Sequence, residues 1–134
     1  MFVGQVMHDL PSVASTNAYA SSLLSKSKPP EGTVISTFCQ TAGRGQIGST
    51  WESEPGKNIA LSIILYPVFL EARHQFRLNL AISLAVRDFT EHHLATGVKI
   101  KWPNDIYVGD RKVAGVLIQN VLGGEHIRST VSGI

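Results

Sequence analysis

Two stretches of this chain put fixed positive charge beside backbone that must turn tightly. One is Gln40-Thr41-Ala42-Gly43-Arg44-Gly45-Gln46-Ile47-Gly48-Ser49-Thr50-Trp51; the other is Lys101-Trp102-Pro103-Asn104-Asp105. In the first, Gly43, Gly45 and Gly48 let a ligand approach the backbone and its N–H groups closely. Arg44 adds a planar, permanent cation that suits a carboxylate or a phosphate. Gln40 both donates and accepts, which matches an amide or ureido group. In the second stretch, Lys101 is a point charge held by bulky neighbours. Each stretch alone also reads as a plain turn. Together they point to one anionic site, for a carboxylate and a triphosphate, to which Arg44 and Lys101 both reach.

The first stretch is not a P-loop, because no Gly-Lys-Ser/Thr closes it. It is a poor dinucleotide fingerprint, because it leads to Trp51 and a strand rather than into a helix. A third segment, Ser15-Thr16-Asn17, offers N-cap residues for a helix. The same free N–H groups and hydroxyls suit a polar head group, so cap and binding site are compatible readings. The five histidines, His8, His74, His92, His93 and His126, have no zinc-like spacing. The acidic residues show no paired spacing that selects a metal site. Cys39 is the single cysteine, so no internal disulfide forms; it reads as a small strand residue rather than a nucleophile.

These segments need elements to position them. Residues 2–7 read as a short strand, and the segment after Ser15-Thr16-Asn17 as a helix to about Ser25 with Ala20, Leu23 and Leu24 as its apolar stripe. Residues 33–39 read as a strand rich in β-branched side chains. Residues 58–66 alternate with period two, which puts Ile59, Leu61, Ile63 and Leu65 on one apolar face. Residues 71–94 form the clearest helix. Its polar stripe, Asn79, Ser83, Arg87 and Glu91, leaves the rest apolar and predicts burial on most sides. Residues 98–101 lead as a strand into the second motif. Residues 106–108 and 113–121 read as a hairpin, and 127–134 as a last strand.

The chain has 134 residues, enough for one domain with a core. A net charge of +2 with mixed signs gives no basic footprint for nucleic acid. No signal peptide and no bilayer-length apolar run is visible, so the reading is cytoplasmic, with no membrane partner. The last residues, Thr130-Val131-Ser132-Gly133-Ile134, stop inside an apolar strand pattern, which reads as a fragment of a longer chain.

Ser15-Thr16-Asn17, the Gln40 to Trp51 loop, and Lys101-Trp102-Pro103-Asn104-Asp105 followed by Asp110-Arg111-Lys112-Val113-Ala114-Gly115 resemble the biotin protein ligases (biotin–acetyl-CoA-carboxylase ligases) in order and spacing. The resemblance implies an α/β fold of α+β type: a mixed β-sheet with flanking helices, akin to the class II aminoacyl-tRNA synthetase core. It implies formation of biotinyl-5′-AMP from biotin and MgATP, then transfer of biotin to a lysine of a biotin carboxyl carrier protein. It assigns Ser15, Thr16, Asn17, Gln40, Gly43, Arg44, Gly45, Gln46 and Lys101 to biotin, and Arg44, Gly45, Gln46 and Lys101 to the nucleotide. Arg44 and Lys101 carry the catalytic role, and Mg²⁺ accompanies ATP with unassigned protein ligands.

Residues 1–134 are then the N-terminal part of the catalytic domain. No DNA-binding domain precedes Phe2, so no DNA partner and no repressor role is expected; a homodimer is compatible. The family continues past Ile134, so little or no turnover is expected from residues 1–134 alone. Many members carry further arginines where this chain has Gln46, Ile47 and Ser49, which implies weaker retention of the adenylate here. Two other readings compete. One is a lipoyl or octanoyl transferase of related fold. The other is a biotin-binding module without chemistry.

Overall fold

The computed structural model describes residues 2–46, 48–94 and 97–134; Ile47, inside the glycine-rich loop, lies outside the described residues. In chain order the elements are β1 (Met7–Leu10), α1 (Thr16–Lys26), β2 (Val34–Thr37), β3 (Gly43–Arg44), β4 (Thr50–Trp51) and β5 (Ala60–Leu65). A 3-10 turn (Ala72–His74) and α2 (Phe76–Leu94) follow. The chain then runs through β6 (Val98–Lys101), β7 (Asp105–Val108), β8 (Arg111–Gly115), β9 (Leu117–Gly123) and β10 (His126–Gly133).

One five-stranded sheet has the order β1-β2-β5-β10-β9. Its first pair is parallel and its other pairs are antiparallel, so the sheet is mixed, with α1 as the crossover of the parallel pair. β6-β7-β8 form a second, three-stranded sheet, and β3-β4 a two-stranded hairpin. The α+β class therefore stands as expected.

The helix α1 begins where its cap predicts. Ser15 is extended, and its Oγ accepts a hydrogen bond from the Ala18 N–H at 3.3 Å, satisfying one of the N–H groups a helix start leaves open. Its Ala20 packs with Ile35, Ile64 and Val131 in a core of fully buried apolar residues, bordered by Leu10, Tyr19, Leu23 and Leu24. The register places Ile35 opposite Ser62 and Ile64 opposite Val131, so α1 covers this one face of the sheet.

Four expectations change. Residues 2–6 are turns, and the first strand starts at Met7; Gly4, at φ +85°, interrupts the extended run. In β5 the alternation holds but its sense is reversed. Ala60, Ser62 and Ile64 are the buried positions, whereas Ile59 is 64% exposed and Leu61, Ile63 and Leu65 are half-buried. The helix packs over the face with the small side chains, which let it approach closely.

The third change is in α2. Its polar stripe turns inward: Ser83 is buried, and the Asn79 amide donates to the Pro103 carbonyl at 3.2 Å. Phe76, Leu80, Leu84 and Phe89 face outward instead, 42–67% exposed. The neighbour that α2 meets is the β6–β7 region, whose turn carries an open carbonyl, and this selects the polar stripe.

The fourth is the hairpin. Residues 113–121 are not one strand. Asn104 takes both backbone groups of Val116, its carbonyl accepting the Val116 N–H at 3.2 Å and its side-chain amide donating to the Val116 carbonyl. Val116 thus leaves the ladder, and the chain steps from the three-stranded sheet to the five-stranded one.

Candidate functional site

A cavity of about 210 Å³ opens between the start of α1, the β3–β4 hairpin and the step at Val116. That is small beside the roughly 300–1,000 Å³ of typical ligand pockets. Ser15, Thr16, Asn17 and Gln40 line one end. Arg44, Gly45 and Gln46 come from the glycine-rich hairpin, and Lys112 with Asp105 from the three-stranded sheet.

The first end is a hydrogen-bonded floor. Gln40 Oε1 accepts from the Thr16 N–H at 2.9 Å and lies 3.2 Å from Thr16 Oγ1. Beneath them Ser62, fully buried, lies 2.8 Å from Thr16 Oγ1 and 2.6 Å from Asn17 Oδ1. The Asn17 amide donates to the Leu117 carbonyl and to Gln119 Oε1. Both amide hydrogens being used, Asn17 Oδ1 can only accept, so the Ser62 hydroxyl donates its single hydrogen there.

Gly133 is required at this point: a Cβ on it would strike the Asn17 amide. Two donors remain for a ligand. The Gln40 NH₂ makes no hydrogen bond among the described residues, and the Ser15 hydroxyl uses only its acceptor side.

The other end is cationic. Lys112 Nζ lies 2.8 Å from Asp105 Oδ1 and 4.7 Å from the centre of the Trp51 ring. The two ion-pair side chains are 36% and 30% exposed, so the pair is worth no more than about 1 kcal/mol and yields readily to an incoming anion. The Trp51 face holds the ammonium over the cavity. Gly115 makes room for this arrangement, since a Cβ there would sit 3.0 Å from the Trp51 ring and 3.2 Å from Lys112 Cε. Arg44 is exposed and has no ion pair among the described residues.

Of the residues expected at the site, Ser15, Thr16, Asn17, Gln40, Arg44, Gly45 and Gln46 come together around one cavity. Asn17 is there with its amide already engaged, as part of the floor. Gly43 is buried against Trp51 and Gln40 and does not line the cavity. Lys101 does not line it either. Its ammonium lies 5.7 Å over the Tyr107 ring, so the expected convergence of Arg44 and Lys101 is not seen.

The cation that meets the cavity with Arg44 is Lys112. The sequence offered a signal for it: Lys112 is the second residue after a two-residue turn, Gly109-Asp110, and lies three residues before Gly115. Hairpin pairing sets Lys112 opposite Tyr107, two positions from Asp105. Among the described residues no group of three His, Cys, Asp or Glu side chains could hold a metal ion, and no helix is long and apolar enough to cross a membrane.

The chain resembles known proteins in sequence and in fold. The model of the Biotin/lipoate A/B protein ligase family matches residues 10–134. The chain is 33% identical over 130 residues to the bifunctional ligase/repressor BirA of Bacillus subtilis, covering 96% of this chain and 38% of that protein. It is 34% identical over 110 residues to the biotin–[acetyl-CoA-carboxylase] ligase of Mycobacterium tuberculosis, covering 78% and 41%.

Among solved structures, the biotin protein ligase of Aquifex aeolicus in complex with biotin and ATP superposes with a TM-score of 0.74 at 30% identity, over 97% of this chain and 52% of that one. The Leishmania major biotin protein ligase with biotinyl-5-AMP gives 0.71 at 27%, over 97% and 57%. The chain thus spans about four tenths of the length of these curated relatives and about half of the solved chains.

Proposed function

The chain belongs to the Biotin/lipoate A/B protein ligase family, and we propose that within it this chain supplies the acyl-acid site of an ATP-dependent biotin–protein ligase. One observation carries the reading: amide and hydroxyl donors on a hydrogen-bonded floor and two cations, Arg44 and Lys112, line one small cavity. The relatives named for biotin, and the Aquifex structure with biotin and ATP, support the same assignment.

The floor takes the ureido group, with Gln40 and Ser15 as donors. The carboxylate end meets Lys112 and Arg44. Near neutral pH that carboxylate is already ionised and needs no general base. One of its oxygens attacks the α-phosphorus of ATP, the new oxygen–phosphorus bond forms as the bond from that phosphorus to pyrophosphate breaks, and biotinyl-5′-AMP and pyrophosphate result. A lysine amine of the biotin carboxyl carrier protein then attacks the acyl carbon, and AMP leaves. The two cations align the carboxylate and offset the charge that gathers between it and the phosphate. Magnesium arrives with the nucleotide as MgATP; of the cavity's residues only Asp105 offers it a charged oxygen, and Lys112 competes for that carboxylate.

Lipoate is the second candidate acid. The polar floor favours biotin, because an apolar dithiolane would leave the Gln40 amide without a partner, at about 1–3 kcal/mol. Calorimetric titration of the chain with biotin and with lipoate separates them. Biotin is expected to bind tighter by about tenfold or more; equal binding, or preference for lipoate, sinks the reading. In the same assay Lys112→Ala is expected to weaken biotin by about tenfold to a hundredfold, the loss of a charged hydrogen bond. Lys101→Ala should change it less than about twofold, as for a surface substitution.

A further inference from the structure

We propose that Gln46 is a positioning residue: its side-chain amide clasps the glycine-rich hairpin to Asn104 and so holds Arg44 and Gly45 over the cavity before any ligand binds. The stem of this hairpin is tied to one side of the site. Thr41 N–H and Ala42 N–H donate to the Val13 and Ala14 carbonyls, at 3.0 and 2.7 Å. The tip closes on itself, Gly45 N–H donating to the Ser49 carbonyl at 3.0 Å and Ser49 N–H to the Gln46 carbonyl at 2.8 Å. Neither set of bonds reaches the three-stranded sheet. The bond from Gln46 Nε2 to Asn104 Oδ1, 3.1 Å long, does.

Asn104 is an unusual anchor for an exposed glutamine. It is 5% exposed, and its amide nitrogen and backbone carbonyl are both committed to Val116. Its orientation is therefore set by the step between the sheets, and only Oδ1 is left, facing the hairpin as an acceptor. The clasp follows a donor rule. Residue 46 holds the hairpin when it offers an N–H and releases it when it does not. Asn104 cannot flip to compensate, because flipping would break its bond to Val116. The clasp is neutral, so it forms without a phosphate or carboxylate in the cavity.

The test is amide hydrogen exchange, read by mass spectrometry on peptides covering residues 41–51, with β2 as internal reference. It is run on the intact chain without ligand. Gln46→Ala and Gln46→Glu are expected to exchange about two- to tenfold faster in this segment, the weight of one neutral hydrogen bond. Gln46→Arg, which restores a donor, should stay near the parent rate. A residue needed only for local structure would give faster exchange in all three variants alike, and that result overturns the proposal. So does an unchanged rate in Gln46→Ala and Gln46→Glu. The thermal midpoint is expected to move little, since Gln46 is exposed.

A second arm rests on the functional reading above: saturating biotin should bring all variants to one common, slower rate. Failure of that arm alone counts against the ligand and leaves the clasp standing, because the first arm contains no ligand.

Discussion

The two helices of this molecule bury themselves in opposite ways. On the α1 side, apolar Ala20, Ile35, Ile64 and Val131 close together, and the polar groups beneath the site, Thr16, Asn17, Gln40 and Ser62, are hydrogen-bonded to one another. On the α2 side the helix turns Asn79 and Ser83 inward and presents Phe76, Leu80, Leu84 and Phe89 outward. Among the described residues the buried Ser83 hydroxyl has no partner, and the same holds for Ser132 on β10 of the five-stranded sheet. The candidate site sits at the end of the first helix. A cavity that must hold a ligand at fixed positions needs walls that do not move, and the α1 side supplies them. The α2 side supplies Pro103 and the segment that carries Asn104, reached through one hydrogen bond.

This contrast breaks if the two sides respond alike to substitution. The largest effect is expected for Ile64→Ala, at about 2–5 kcal/mol of unfolding free energy for a fully buried isoleucine. The matched change on the other side, Leu84→Ala, should cost less than about 1 kcal/mol, because Leu84 is 46% exposed. Urea unfolding of both variants reads the difference, and equal losses would show that α2 is packed as tightly as α1.

The serines sharpen the comparison. Ser62→Ala leaves Asn17 Oδ1 without its donor and should cost about 1–3 kcal/mol. Ser83→Ala removes a hydroxyl that is buried without a bond and should be neutral or stabilising by about 1 kcal/mol. The same unfolding curves decide it; a loss in Ser83→Ala as large as in Ser62→Ala would contradict the difference in hydrogen bonding.

The smallest effect is at high pH. Burial, and then the neighbouring Glu31 carboxylate, raise the pKa of Tyr66 above its usual 10.0. Its hydroxyl donates to the Pro29 carbonyl at 2.7 Å, which also favours the protonated form. A raised folded-state pKa means that this contribution is complete below pH 10.0 and is lost as pH climbs through the folded value. Stability measured against pH should therefore fall in that alkaline range, and Tyr66→Phe should flatten the fall.

Much of the site was legible from residue type alone. Ser15 as a cap, Gln40 at a strand end and Arg44 between glycines each carry their role in their chemistry. Lys101 and Lys112 show where that stops. Both are lysines on strands of the same sheet, and only the hairpin register and the position of Trp51 decide which one meets the cavity. The same limit applies to the fold. Period two in residues 58–66 located β5 but not its inner face, because burial followed the helix that packs there and not the larger side chains. In α2 the polar stripe was visible, but its direction depended on the Pro103 carbonyl, which is distant in sequence. At Val116 the continuous apolar pattern concealed a break made by Asn104, twelve residues earlier.

That break has a geometric consequence. The part of the cavity lined by Ser15, Thr16 and Asn17 is built on α1 and the five-stranded sheet, and Lys112 stands on the other sheet. Val116 is the short backbone link between them, fastened on both its polar atoms. The two groups of lining residues are thereby carried by different sheets and joined at a single residue, so their relative placement depends on Asn104 as much as on either sheet.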